Sequence, residues 1–339
     1  MTASLQVHLA QRPHGAPGDE VFSFVYTDVP DPADGQVLLR AVYLSLDPYM
    51  RGWMDHAEPG AQIIGSTVCE VVSSRHPDFA VGEFVGAFTG WQSYALSDGS
   101  GLEPLDPAAA PISAALGVLG VPGFTAYAGL LDIGRPQPGE TVVVAAAAGP
   151  VGSVVGQVAR LKGARSVGIA GGADKCRLLV DEFGFDAAID RRSPTFAEDL
   201  AAAVPDGVDV YFENVGGPVS REVYRHVNDG ARVPVCGMVS TYNDTEPPAG
   251  PDGTDEFLQL IQHRSLSLQG FLHFALRPTW DKEFRREMPA WVSAREVRYR
   301  EDIVEGLEQA PAAFRRMLSG ATVGKTLVRV GTDPTSDPS

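Results

Sequence analysis

Cysteine is scarce in this 339-residue chain: Cys69, Cys176 and Cys236 are three scattered residues with no C-x-x-C pair. An odd, dispersed set excludes a disulfide framework and predicts a reducing compartment, the cytoplasm. Histidine is thin as well, and the seven present (His8, His14, His56, His76, His226, His263, His273) show neither H-E-x-x-H nor Cys/His ligand spacing, so no metal site is expected. Positive charge is short: 27 Lys and Arg against 43 Asp and Glu leave a net charge of −16, which argues against nucleic-acid or anionic-membrane partners. Any phosphate on a ligand must therefore meet locally concentrated cations. An unbroken apolar run is also missing. Residues 141–159 come nearest, but Gly149, Pro150, Gly152 and Ser153 interrupt them, short of the roughly twenty residues that a spanning helix needs. The first residues carry no basic stretch followed by an apolar one, so neither a signal peptide nor membrane association is expected.

What is present is enough apolar material, 44% of residues, for more than one core, and two domains are predicted at this length. The fold class is α/β. Residues 1–118 read as β-rich, with strands over Val21–Asp28, Gln36–Leu46, Val68–Ser73 and Glu83–Phe88 punctuated by Gly, Pro and Asp, the pattern of a partly open β-barrel. From about residue 120 strands alternate with helical segments, which predicts a doubly wound parallel sheet. Its six strands are Thr141–Ala146, Ser166–Ala170, Ala187–Asp190, Val208–Phe212, Ala231–Cys236 and Leu266–Gln269. A helix over Phe284–Ala294 and two short helices, Glu301–Glu308 and Pro311–Leu318, should follow. Lys325–Val330, short and alternating, should be a strand that returns to the first domain, which is then made of 1–118 with 300–339 around an inserted 119–299. The Pro/Gly/Asp-rich Asn243–Asp255 stretch is expected to be mobile, placed where a lid could sit, and the tail Gly331–Ser339 to fray.

The densest chemical signal is Thr141–Arg160, a buried strand that turns through A-x-x-G-x-x-G into an apolar helix, with Gly156 four residues beyond Gly152. Glycines let a backbone approach a pyrophosphate, and the N–H groups and dipole at a helix start neutralise it. With a second strand following, this is a dinucleotide site. An NAD-preferring site usually carries an acid at the end of that second strand, about twenty residues beyond the glycines. Here the place is taken by Gly171-Gly172-Ala173, with Lys175 after it and Arg191 and Arg192 past the next strand, a pattern that favours a 2′-phosphate and hence NADPH. Asp174 dissents if its carboxylate turns inward.

Several phrases together carry a resemblance: Tyr43-Leu-Ser-Leu-Asp-Pro-Tyr-Met-Arg51, Pro122-Gly-Phe-Thr125-Ala-Tyr127, Ala147-Ala-Gly-Pro-Val-Gly-Ser153, Gly171-Gly-Ala-Asp-Lys-Cys176, Phe212-Glu-Asn-Val-Gly-Gly217 and Val235-Cys-Gly-Met-Val-Ser-Thr-Tyr-Asn243. The chain resembles the prostaglandin reductase and curcumin reductase branch of the zinc-free medium-chain dehydrogenase/reductases, from about residue 5 to 330. The resemblance implies a GroES-like barrel catalytic domain, an inserted Rossmann domain, a homodimer, and NADPH-dependent reduction of carbon–carbon double bonds conjugated to a carbonyl. It also implies cofactor contacts. These are Gly149, Pro150, Val151 and Gly152 for the pyrophosphate, and Lys175 for the 2′-phosphate, with Gly172 a further cofactor contact. Asn214, Cys236, Gly237, Ser240 and Tyr242 would lie along the nicotinamide half, Phe271 near the ring, with Thr125 a further contact. Two positions depart from the family. Arg191 stands where relatives often have Tyr, which should strengthen phosphate binding, and Thr322 stands where an Asn usually precedes the final Gly-Lys, offering fewer hydrogen bonds.

The first domain has only Cys69 and, where a zinc alcohol dehydrogenase carries Gly-His-Glu, Gly65-Ser66-Thr67. Reduction of a carbonyl by that route is not expected, whereas an enone asks only for alignment of its β-carbon and hydrogen bonds to an enolate oxygen. Tyr242 is the candidate proton donor, unless its phenol binds the nicotinamide ribose instead. Tyr49, Arg51 and Phe271 are candidates for substrate contact, Arg51 alternatively for a domain-interface ion pair. Trp53, Trp91 and Phe271 read as packing walls. Two other readings stay open: an NADPH-dependent quinone oxidoreductase, and an NADPH-binding redox sensor without turnover.

Overall fold

A computed structural model describes residues 2–246 and 253–335. The chain divides into two compact units: the residues up to Gly117 together with those from Glu301 onward, and Val118–Arg300.

The first unit is a barrel-like arrangement of sheets. Val37–Ser45, buried at nearly every position, pairs antiparallel with Thr67–Ser74, with Tyr94–Ser97 through its first half and with Lys325–Arg329 through its last three residues. Phe84–Ala87 and Glu103–Leu105 extend the sheet beyond Thr67–Ser74, and a two-stranded ribbon, Thr2–Leu9 with Phe22–Val29, lies beside it. The core gathers Leu44, Leu46, Met50 and Phe314 around Trp91, whose indole stacks on Phe22 at 5.9 Å and meets Phe314 edge-on at 5.8 Å. Each such fully buried side chain contributes about 1.5–3 kcal/mol. Trp91 is a packing residue, as expected.

Lys325–Arg329 does return to this unit. The segment before it differs from expectation: Glu301–Glu305 is a strand, followed by a single 3₁₀ turn at Leu307–Gln309, where a short helix was predicted. Ile303 and Val304 are β-branched and meet a strand with an open edge, so they extend and pair in parallel, Ile303 opposite Leu327. Gly306, at φ 87°, then ends the strand. The tail is also more ordered than predicted as far as Thr335. Tyr43 donates its hydroxyl proton to Asp333 at 2.9 Å and Arg40 donates to the carbonyl of Thr332 at 3.1 Å. Residues 336–339 lie outside the described residues, as do 247–252 of the segment expected to be mobile.

The second unit is a six-stranded parallel sheet. Its strands Thr141–Val144, Arg165–Ala170, Ala187–Asp190, Val208–Phe212, Val227–Val235 and Ser267–Gly270 lie in the spatial order third, second, first, fourth, fifth, sixth. That is the doubly wound order with a switch point between the first and fourth strands, where ligands bind at the carboxyl edge. The inner strands read as continuous apolar runs because helices cover both faces. Val142, Val143, Val144, Val208, Val210, Tyr211 and Phe212 are all buried. The last helix begins well before its predicted start, spanning His273–Ser293 with Pro278 and Pro289 inside it. Proline usually breaks a helix; here Phe284 and Met288, buried on one face, hold it against the unit.

Candidate functional site

The first strand leaves the sheet through Ala146, which is held at φ 49°, and the chain re-enters a helix at Gly152–Leu161. A left-handed alanine costs about 1–2 kcal/mol, so the tight turn must be imposed by its surroundings. Ala145 N–H is bonded to Phe212 O at 3.2 Å and Ala147 N–H to Ile169 O at 3.0 Å, which pins both sides of it. The glycines of the turn are not equivalent. A Cβ on Gly152 would lie 2.6 Å from Ala146 O and 2.7 Å from Ala147 Cα, both backbone, whereas one on Gly149 would meet only Ala146 O, at 3.3 Å. A Cβ on Gly156 would enter the ring of Phe185 at 2.0 Å, so this glycine serves packing, as its spacing suggested.

The second strand ends at Gly171 and Gly172, the latter at φ 108°, and Lys175 is the third residue of the next helix, Ala173–Asp181. Arg191 and Arg192 reach back from the third strand: a Cβ on Gly171 would lie 3.2 Å from Arg192 Nε and 3.4 Å from Arg191 Nε. Asp174 turns to solvent, 91% exposed and ion-paired with Arg177. The nearest acid is instead Asp190, which the sequence did not single out. Its Oδ1 accepts the backbone N–H of Gly172 at 2.8 Å and of Arg192 at 2.9 Å. Burial works against its ionisation, but these two bonds and the flanking Arg192 and Arg191 outweigh that and hold its carboxyl below the usual range.

At the other end of the edge, Asn214 donates its amide to Ala145 O at 2.8 Å, tying the fourth strand to the first. The preceding Glu213, only 3% exposed, accepts from the N–H of Val215 at 2.7 Å and of Gly216 at 2.9 Å and from the Ser220 hydroxyl. The sequence showed this residue only as part of a phrase; its burial makes it the anchor of the whole turn. Ser240 donates its hydroxyl proton to Val215 O at 2.6 Å. Cys236, Gly237, Gly270, Phe271, Leu272 and Leu276 line a cavity of about 500 Å³. Phe271 seats its ring against Gly129, where a Cβ would come within 2.3 Å, and meets Phe212 edge-on at 6.2 Å. Burial, and then Glu213, push the Cys236 thiol up to about 12, so it stays protonated.

The Tyr242 hydroxyl lies 3.2 Å from the place a Cβ on Gly237 would take. Burial raises its pKa, and a backbone hydrogen bond from Met238 only partly offsets this. A phenol so placed donates a hydrogen bond more readily than a proton. Tyr242→Phe is therefore expected to lower kcat by less than about tenfold, whereas losing a general acid costs about a hundredfold or more. Steady-state turnover with saturating cofactor decides between them.

Residues 149–152, Gly172, Lys175, Arg191, Asn214, Cys236–Tyr242 and Phe271 thus all follow strands of one sheet at its carboxyl edge. Thr125 belongs to the same unit, on the helix Val121–Ala128, with its hydroxyl proton given to Val121 O at 2.7 Å, so it is left to accept from a ligand. The remaining candidates lie in the first unit. Tyr49, 44% exposed, opens the helix Tyr49–His56. Trp53 packs on the core. Thr322 is half-buried, three residues before Lys325, which gives its ammonium to Leu46 O at 2.8 Å and Asp47 at 2.5 Å. Arg51 is only 3% exposed and donates to Gly15 O at 2.9 Å and to Asp55 at 2.6 Å. Its guanidinium clamps a loop to its own helix, a structural use that the motif alone did not reveal. Among the described residues there is no group of three or more His, Cys, Asp or Glu that could hold a metal ion, and no helix long and apolar enough to cross a membrane.

Residues 5–105 match the family described as "N-terminal domain of oxidoreductase" and residues 150–289 the family described as "Zinc-binding dehydrogenase". The chain is 50% identical over 332 residues to the NADPH-dependent curcumin reductase of Escherichia coli (strain K12), covering 96% of each. It is 43% identical over 324 residues to prostaglandin reductase 1 of Rattus norvegicus, covering 93% of this chain and 95% of the other. CurA from Vibrio vulnificus, solved in complex with NADPH, superposes with a TM-score of 0.92 at 48% identity over 97% of this chain and 100% of that one. Identity at this level along nearly the whole length places the chain in the medium-chain dehydrogenase/reductases, in the branch of the curcumin and prostaglandin reductases, and it belongs to that family.

Proposed function

We propose that the chain is an NADPH-dependent reductase of carbon–carbon double bonds conjugated to a ketone or aldehyde. The observation that carries this reading is the second strand's end, where Arg191 and Arg192 stand over a glycine pair in a chain half-identical to an NADPH-dependent curcumin reductase. The residues fit the dinucleotide, since a Cβ would close the cradle at Gly152.

In this reading the Val118–Arg300 unit holds the cofactor. Gly149, Pro150, Val151 and Gly152 take the pyrophosphate; Gly172, Lys175 and Arg191 take the 2′-phosphate. Asn214, Cys236, Gly237, Ser240 and Tyr242 follow the nicotinamide half, Phe271 walls its ring, and Thr125 adds a polar contact. NADPH, when bound, supplies the hydride. The protein's task is to hold the substrate's β-carbon within about 3–3.5 Å of the donor carbon and to stabilise charge on the carbonyl oxygen. Phenols suit that second task. Tyr49, raised above the usual tyrosine range by burial and then by Asp47, and hydrogen-bonded to Ser66, stays a donor at neutral pH, as does Tyr242. Cys236, held protonated, presents no thiolate to an electrophilic enone.

With NADPH deuterated at the transferring position and an enone substrate, label is expected at the β-carbon of the product. Label on the carbonyl carbon would show carbonyl reduction instead, and tight binding without transfer across a broad panel would leave a sensor. A cytoplasmic homodimer completes the proposal. Unpaired cysteines support the compartment, and Ser267–Gly270, an exposed strand at the end of the parallel sheet, supports pairing with a second copy.

A further inference from the structure

We infer that Asp190 is a positioning residue for the 2′-phosphate pocket: one carboxylate oxygen staples the glycine turn after the second strand to the arginine turn after the third. This deepens the NADPH reading and rests on it.

An acid among the cations of a phosphate pocket is at first sight a defect, since its charge repels the ligand. Its bonding explains its presence. Asp190 Oδ1 takes two N–H groups from different segments, Gly172 at 2.8 Å and Arg192 at 2.9 Å. Beside this, Arg191 N–H is bonded to Ala170 O at 2.9 Å, and Ser193 N–H to Asp190 O at 2.9 Å. The two turns therefore move as one piece. Gly172 is fixed at φ 108°, a conformation that lets the backbone turn away at the strand end and leaves Gly171 beneath Arg191 and Arg192. Without the carboxylate both N–H groups lose their partner, and the arginines lose the fixed separation from the glycine turn and from Lys175, two residues into the following helix. An acid at the end of the second strand selects NAD by accepting from the ribose. Shifted to the end of the third, where both accepted bonds come from backbone, it acts as scaffold for the opposite choice.

The test compares Asp190→Ala with Asp190→Asn. Asparagine keeps the accepting oxygen without the charge; alanine removes both. Binding of adenosine 2′,5′-bisphosphate and of 5′-AMP is measured by calorimetry, alongside KM and kcat with NADPH and NADH. Asp190→Ala should weaken the bisphosphate and raise KM for NADPH by about tenfold, as expected for lost hydrogen bonds, with kcat, 5′-AMP binding and KM for NADH within twofold of the parent. Asp190→Asn should bind the bisphosphate as well as the parent or better. Equal losses for both nucleotides, unchanged or tighter bisphosphate binding by the alanine variant, or an asparagine variant as weak as alanine would each overturn the inference. Failure of the underlying reading shows separately, as a parent protein that does not prefer the 2′-phosphate at all; a parent with the preference and an indifferent alanine variant overturns the scaffold role alone.

Discussion

Gly152→Ala is expected to abolish measurable NADPH binding at concentrations that saturate the parent, a rise in Kd approaching a hundredfold. The added Cβ meets Ala146 O at 2.6 Å and Ala147 Cα at 2.7 Å. Neither can rotate away as a side-chain tip would. Ala146 already sits at φ 49°, and its neighbours are fastened to Phe212 and Ile169 by backbone bonds. The helix start must therefore shift, and with it the N–H groups proposed to take the pyrophosphate. Overpacking of this kind costs about 1–3 kcal/mol; spent on the binding geometry, that is up to roughly a hundredfold in affinity. Two neighbours serve as controls. Gly149→Ala, with a single contact at 3.3 Å, should bind cofactor more nearly as the parent does. Gly156→Ala, which strikes the Phe185 ring, should lower the melting temperature more than it lowers affinity. Cofactor titration by fluorescence with thermal melts separates the three, and a Gly152→Ala protein that binds within threefold of the parent would remove the cradle from this turn.

The contrast among these glycines marks where sequence reading stops. All six parallel strands were legible because runs such as Val142-Val143-Val144 are buried on both faces and bounded by turn residues. The glycine turn was legible for a related reason, since its spacing is set by local geometry. Glu301–Glu305 was not. Its acidic residues mask two β-branched ones, and the partner that makes it a strand, Lys325–Arg329, lies some twenty residues on. Arg51 was recognised as part of a phrase, yet its use depends on Gly15, thirty-six residues back, whose carbonyl gives no signal in the sequence. Asp190 is the same case: its position at a strand end could be read, but which N–H groups its oxygen meets is decided by the pairing of two strands. Long-range hydrogen bonds to backbone carry no side-chain pattern, so residues that organise the turns around the proposed site stayed hidden, whereas its glycine and cation motifs could be read.

Lys175→Ala is expected to raise KM for NADPH by about 10- to 100-fold, since a hydrogen bond to a charged group is worth about 1.5–3 kcal/mol, while kcat and KM for NADH stay within twofold. The selectivity follows from what the residue can touch. A cation on the first turn of Ala173–Asp181, next to the glycine pair, is placed in the proposed site to meet the adenosine phosphate and not the reacting carbon. The global charge sharpens the effect. A net −16 repels an anionic cofactor over the range of the Debye length, about 10 Å at 0.1 M salt, so attraction has to come from these few local cations. Arg191 and Arg192 remain in the variant and, with Gly172 still stapled by Asp190, keep part of the preference for NADPH over NADH. Removing Arg191 as well should erase most of that remainder, by more than the product of the single effects where the two cations share one phosphate. Raising the salt should narrow the gap between parent and variant. A Lys175→Ala enzyme whose KM rises equally for both cofactors would move the 2′-phosphate away from this helix start, and with it the specificity assigned to the second strand's end.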